Sequence, residues 1–281
     1  MVIRKLDFFN MHKIADSGQA FRIRDIDGTH TELVAFGRYL QVAGLEDGSF
    51  AFSCSEKDFE QVWSQYFDLG RDYTAAAASV DPSDTYLRDA AAFSEGIRIL
   101  KQEPFETVIS YIISQRRSIP SITTSVERIS ALCGKKIKAP KLSAPFVKPL
   151  HEEYFAFPSP SELASLSLGQ IEGTGVGYRA PYITQAAAGF ASGLIDTDSL
   201  AALDDDDLYK ALTAMYGVGT KVANCVMLFA FARTSRFPVD VWIQRIVDRY
   251  YGGSFDCSRY PDTAGIMQQF MFYYERRRDD L

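Results

Sequence analysis

Cysteine and histidine are scarce here, with four of one and three of the other among 281 residues. Cys54, Cys133, Cys225 and Cys257 stand far apart, and none pairs with another cysteine, or with His12, His30 or His151, at metal-ligand spacing. A thiolate zinc site is therefore not expected, nor the cysteine cage of an iron–sulfur cluster, and no cofactor is implied. Isolated thiols suit a reducing compartment, so a cytoplasmic protein (nucleoid-associated in a bacterium) is expected. The opening MVIRKLDFFN lacks the apolar core of a signal peptide. The longest apolar run, Ala223 to Ala232, is too short to cross a bilayer and suits a buried helix. Surplus positive charge is missing too: the formal net charge is -6, which weighs against binding anionic surfaces by bulk attraction.

What charge there is lies unevenly. Gly96 to Lys148 carries ten Lys and Arg against three acids, a local +7. Such a stretch is either a set of solvated helix faces or a phosphate-binding face on an acidic protein. Asp204 to Asp207 form a run of four carboxylates. Adjacent acids point in different directions on a helix, so helix initiation explains them better than a metal site.

Length and an ordinary apolar fraction of 47% permit one or two domains with real cores. The first part reads as antiparallel strands. AFRIRDI (20–26) alternates, and Asp27-Gly28 and Asp47-Gly48 are turn signals, the second between RYLQVAGL and FAFSC. Ser55 then starts a helix, with Asp58 three residues on. Beyond about residue 75 helical spacing dominates, over 83–95, 104–116, 120–133, 180–191, 206–215, 221–232, 240–251 and 262–275. Pro104, Pro120 and Pro160 mark first turns, and the Pro- and Lys-rich segment 135–150 reads as a surface loop. The expected fold is α+β: an antiparallel β-rich domain at 1–80, then a helical domain at 81–281 with two subdomains.

One stretch of the helical part is out of the ordinary. LYKALTAM, YGVGT and KVANCVMLFAFA read as helix, tight turn and helix, a helix–hairpin–helix at 206–232. Gly217 and Gly219 permit the turn and are expected to leave the amides of Gly217, Val218, Gly219 and Thr220 bare, a nest for phosphate. Neither nucleotide-binding glycine motif fits: Thr220 separates Gly219 from Lys221, and Gly173-Thr-Gly175-Val-Gly177 has the wrong spacing. Lys221 heads an apolar helix, where the dipole and desolvation both disfavour an ammonium ion. The same disfavour helps an amine that must attack unprotonated. Asp240, in FPVDVW, follows nineteen residues later. Alone it is a helix cap; beside a lysine with no structural reason it becomes a catalytic candidate.

GVGTKVANC followed by PVDVW resembles the helix–hairpin–helix (HhH-GPD) DNA glycosylases, and most of all their 8-oxoguanine DNA glycosylase/AP lyase branch. SGQAFR (17–22), ISYIISQRRSIPSI (109–122), GVGYRAPYI (175–183) and AGIMQQFMF (264–272) are similar to further segments of that branch, so the resemblance runs from about residue 5 to 275. It implies that Lys221 attacks the deoxyribose C1′, expels the base and holds the sugar as a Schiff base, and that Asp240 stabilises the charge developing on the sugar. The target base must leave the duplex. The resemblance implies that the main-chain carbonyl of Gly18 accepts the N7–H of 8-oxoguanine. Phe272 and Cys225, which alone read as core, would sandwich the base, and Gln268 would bond its pairing edge. Tyr178 would wedge into the stack, Arg179 would address the orphaned cytosine, and Arg116, Arg117 and Trp242 would face DNA. The hairpin backbone would hold a phosphate, with an alkali ion as its one implied metal.

Two departures stand out. Ser121 occupies a position where the branch has an arginine that reads the opposite base, which implies weaker preference for cytosine, and Arg117 is available to fill the space. Trp242 stands where the branch has histidine. The implied partner is double-stranded DNA containing a damaged purine; no membrane partner is implied, and a monomer is expected. Two alternatives stay open on sequence alone: a related glycosylase for other damaged purines, and a non-catalytic DNA-binding module. Lys221 argues against both.

Overall fold

A computed structural model describes residues 1–278. The N-terminal part is a five-stranded antiparallel sheet: β1 (Val2–Arg4), β2 (Ile23–Asp25), β3 (His30–Ala35), β4 (Arg38–Gly44) and β5 (Phe50–Phe52), in the order β1-β5-β4-β3-β2. The expected turns are present, with Gly28 and Gly48 at positive φ. Between β3 and β4, Phe36 and Gly37 both have positive φ, at 51° and 66°, the backbone of a two-residue hairpin whose twist suits the flanking strands. Register puts Leu33 opposite Leu40 and Val42 opposite Phe52, so one sheet face is apolar. That face packs on Phe59, Trp63, Tyr66 and Phe67 from the helical segment after Ser55, and on Leu100 further along the chain. Ser55 caps that segment by accepting the Asp58 N–H.

The remainder is mostly helical. Helices form at Thr85–Phe93, Pro104–Ser114, Ile119–Cys133, Ala180–Ala191, Asp205–Thr213, Thr220–Phe229, Val241–Tyr250 and Ala264–Arg277, each within a few residues of its expected span. Local chemistry explains the starts. Asp84 accepts from Leu87 N–H, Asp204 from the N–H of Asp206 and Asp207, and prolines occupy the first turns at Pro104, Pro120 and Pro160. The four-aspartate run thus caps a helix and complements its dipole; Asp205 also pairs with Arg233 and Arg236. The Thr220–Phe229 helix lies at the centre of the second core, burying Val222, Ala223 and everything from Cys225 to Phe229.

The expected loop at 135–150 needs correcting. Lys136–Lys138 (β6) pairs antiparallel with Glu153–Phe155 (β7). Gly134 brings the chain so close to Ala156 that a side chain there would overlap its carbonyl, and Ile137 then faces the buried Tyr154 across the ribbon. One Lys-Ile-Lys triplet is too short a pattern to announce a strand. Among the described residues no helix is long and apolar enough to cross a membrane.

Candidate active site

A cavity of about 830 Å³ opens where the two parts of the chain meet. Its wall includes Gly18, Tyr111, Ser114, Arg116, Arg117, Lys221, Asp240, Trp242, Phe272 and Arg276. A second hollow of about 500 Å³ holds Tyr178, Tyr182, Tyr216 and the hairpin residues Gly217 to Gly219, and Gln115 and Gly219 line both.

Lys221 is half-buried in the first turn of its helix. Its Nζ lies 3.4 Å from Ser114 Oγ and 4.9 Å from the centre of the Tyr111 ring. Cys225 is one helical turn further in. Burial pushes its thiol up, and the adjacent Lys221 pulls the other way. Asp240 caps the Val241–Tyr250 helix through bonds of 2.9 Å from the N–H of both Trp242 and Ile243. The cap role and the cavity position coexist: the main chain fixes the carboxylate on the same wall as the lysine.

On that wall too, Gly18 has φ +75°, and a Cβ there would lie 2.9 Å from Ile119 Cδ1 and 3.1 Å from Phe272 Cε1. Arg276, which sequence reasoning did not single out, has its guanidinium 5.2 Å from the Phe272 ring centre and donates to Asp16 O. It follows Phe272 by four residues on a helix, so the two share a face. Trp242 is 40% exposed at the rim, with Arg245 over its ring.

Several expected contact residues are placed otherwise. Cys225 and Gln268 are buried behind the wall, the Gln268 amide oxygen accepting from Gln269. Arg179 is 6% exposed, donating to Val176 O and Gln115 O and lying against the Tyr178 ring, because the turn beside it needs donors for its carbonyls. Its guanidinium thus braces the site. The Val218 side chain is buried and its amide donates to Met215 O, so the hairpin nest is smaller than expected. The amides of Gly219, Thr220 and Lys221 sit at the helix start, where no preceding turn supplies acceptors. Arg117 donates to Ser121 Oγ at 2.9 Å, to Ser125 Oγ at 3.0 Å and to Gly175 O at 2.9 Å. It does occupy the ground around Ser121. Arg116 and Tyr178 are exposed.

These bonds tie three segments together. Arg179 holds Gln115, the Gln115 amide donates to Gly217 O at 3.0 Å, and Arg117 reaches Gly175 O. Residues 115–118, 175–179 and 217–221 thus form one surface beside the cavity. Tyr182 supports the hairpin: its ring would lie 2.3 Å from a Cβ on Gly217, and Tyr216 packs edge-on against it. Tyr182 and Tyr216 were legible only as aromatic residues near glycines.

A helix–hairpin–helix that sets a lysine and a downstream helix-capping aspartate on one cavity wall defines a class, the hairpin proteins of base-excision DNA repair. The comparisons agree. Residues 1–108 match the model of the 8-oxoguanine DNA glycosylase N-terminal domain, and residues 109–268 match that of the HhH-GPD superfamily of base excision DNA repair proteins. This chain belongs to the 8-oxoguanine DNA glycosylase branch of that superfamily. A probable N-glycosylase/DNA lyase of Methanothermobacter thermautotrophicus is 32% identical over 247 residues, which cover 78% of this chain and 74% of that protein. The 8-oxoguanine glycosylase/lyase of Clostridium acetobutylicum, solved with double-stranded DNA containing cytosine opposite 8-oxoguanine, superposes with a TM-score of 0.89. It is 30% identical over 99% of this chain and 95% of that one. The structure of MBOgg1 with a low-affinity DNA ligand gives 0.90 at 34% identity, covering 99% and 96%.

Proposed function

We propose that this protein excises 8-oxoguanine from duplex DNA and then cleaves the abasic strand through a lysine Schiff base. The observation that carries the reading is the shared wall of Lys221, Asp240, Gly18 and Phe272. The glycosylase/lyase names of its relatives support it.

The chemistry follows from this chain's own groups. The base turns out of the duplex into the cavity, with Phe272 offering a ring face and the Gly18 carbonyl an acceptor for N7–H. Guanine has a lone pair there instead, and a lost bond with an unpaired partner costs about 1–3 kcal/mol. The Lys221 amine attacks C1′. The C1′–N9 bond breaks, its electron pair leaves with the base, and the base takes up a proton. The Asp240 side chain, held by two N–H donors, stabilises positive charge growing on the sugar. The ring C1′–O4′ bond then opens as O4′ takes a proton from water, leaving a protonated Schiff base. Loss of a C2′ proton expels the 3′ phosphate by β-elimination, and water frees the lysine.

The hairpin amides and exposed Arg116 would hold phosphates while Tyr178 fills the stack. Gly217 O accepts from Gln115 and Gly219 O from Ala223 N–H, so the carbonyls of Val218 and of the preceding helix end are the hard oxygens suited to an alkali ion. Such an ion would offset phosphate charge.

Borohydride trapping on a duplex with one 8-oxoguanine opposite cytosine tests the reading. A covalent adduct with the wild type and none with Lys221→Gln is expected. An adduct with both would move the chemistry to another amine, and binding with neither adduct nor free base would leave a binding module.

A further inference from the structure

Tyr111 is a buried group that the proposed chemistry does not use, yet it touches both halves of the site. It lies in the Pro104–Ser114 helix and is 3% exposed. Its ring stacks on Phe229 at 5.6 Å with planes 9° apart, and meets Phe21 edge-on. The ring centre lies 4.9 Å from Lys221 Nζ. Its hydroxyl donates 3.1 Å to Gln19 O, in the residue that follows Gly18. Its own carbonyl accepts from Ser114 Oγ at 2.8 Å, which leaves a lone pair of that oxygen toward Lys221 Nζ.

Each contact has a distinct consequence. A ring face attracts a cation and fixes where it rests. Sandwiched against Phe229, this ring cannot turn aside. The hydroxyl acts at the other end. Gln19 is otherwise held by its side chain, which bonds Ser17 Oγ, Arg98 O and Leu100 N–H, and by Gln102 Nε2 on the same carbonyl. The Tyr111 bond ties the Gln19–Ala20 peptide to the helix carrying the ring, and so ties the segment that follows Gly18 to the helix beside the lysine.

We propose that Tyr111 is a positioning residue that couples the nucleophile to the base-reading segment, its ring placing Lys221 and its hydroxyl bracing Gln19, the residue next to Gly18. The inference rests on the proposed glycosylase/lyase reading. It predicts that the two ends separate. An abasic site needs the lysine but has no base to read, whereas 8-oxoguanine needs both.

The test compares Tyr111→Phe and Tyr111→Leu with wild type in two single-turnover assays: borohydride trapping on a preformed abasic duplex, and release of 8-oxoguanine. Tyr111→Phe keeps the ring and loses the hydroxyl. The ratio of excision to abasic trapping is expected to fall about fivefold, the factor that one ordinary hydrogen bond is worth. Tyr111→Leu also removes the ring, and abasic trapping itself is expected to fall about tenfold below Tyr111→Phe. An unchanged ratio in Tyr111→Phe overturns the hydroxyl's role, as does an equal slowing of both reactions, which a purely structural tyrosine would give. Equal trapping by the two variants overturns the ring's role. Should the leucine variant fail to fold, the phenylalanine ratio decides alone. Wild type without adduct or released base would instead sink the glycosylase/lyase reading, before either variant is compared.

Discussion

Replacing Gly18 by alanine isolates the peptide proposed to face the everted base. The native φ of +75° costs a residue with a side chain about 1–2 kcal/mol. The new methyl would also lie 2.9 Å from Ile119 Cδ1, 3.1 Å from Phe272 Cε1 and 3.4 Å from Arg276 Nη1. All three are side-chain ends, so they can yield by tenths of an ångström, and the total loss should stay near 1–3 kcal/mol. For a chain of this size that lowers Tm by about 2–6 °C. Phe272 and Arg276 are cavity wall, and since displacing a positioning group by about 1 Å costs on the order of a hundredfold in rate, a shift of about half that costs about tenfold. Lys221 is not among the three contacts. Single-turnover release of 8-oxoguanine should therefore fall about tenfold, while abasic trapping stays within about twofold. Wild-type excision beside a lowered Tm would make Gly18 a structural glycine only. Excision and trapping falling together would mean that the whole site had deformed, and the argument from these three contacts would fail.

Gly217→Ala probes the hairpin. With φ +84° and a Cβ 2.3 Å from Tyr182 Cγ, the turn must leave its tyrosine support, so affinity for damaged and undamaged duplex should drop alike, by about tenfold, in fluorescence anisotropy; an unchanged Kd refutes it. Glu106→Gln probes pH. Burial pushes the Glu106 carboxyl up to about 7 from 4.5, against the pull of Arg22 and with a further push from Glu103 and Glu127. A raised folded value means that its stabilising share is complete below the unfolded value and is lost as pH rises through about 7. Its deionised form is worth at most about 3 kcal/mol. The Tm advantage of the glutamine variant should grow between pH 5 and pH 8, and a difference independent of pH would refute it.

Elements that depend on local chemistry were legible in the sequence. Prolines at first turns, capping aspartates and apolar spacing sufficed for the long helices, and two of the three hairpin turns in the sheet carried Asp-Gly. The turn at Phe36-Gly37 did not, since phenylalanine rarely adopts positive φ, and only the packed strands on either side compel it. The β6–β7 ribbon depends on a chain segment fifteen residues away, which no local pattern contains. Lys221 was legible because it strains a local rule; Asp240 obeys one, as a helix cap, and stood out only beside that lysine. Tyr111 and Arg276 break none: a tyrosine on an apolar helix face and an arginine near a helix end are ordinary until the fold brings them to one cavity.

The basic residues show why a charge count does not locate a binding face. Of the +7 stretch, Arg116 and Arg117 line the cavity, while other members spend their charge elsewhere. Arg98 is 5% exposed and spends its guanidinium on the carbonyls of Phe8, Asp68 and Asp7. Lys101 pairs with Asp68, and Lys136 with Glu153. Arg117 and Arg179 do lie at the site, but as braces whose donors go to serine hydroxyls and main-chain oxygens. Arginine suits that work because its planar fork presents five donors and stays charged when half-buried. Their charge still acts on a phosphate nearby, since bonding to neutral acceptors leaves it uncompensated. The bonds that tie the 115–118, 175–179 and 217–221 surface together and the cationic charge it carries thus come from the same side chains, Arg117 and Arg179, in a chain whose formal net charge is -6.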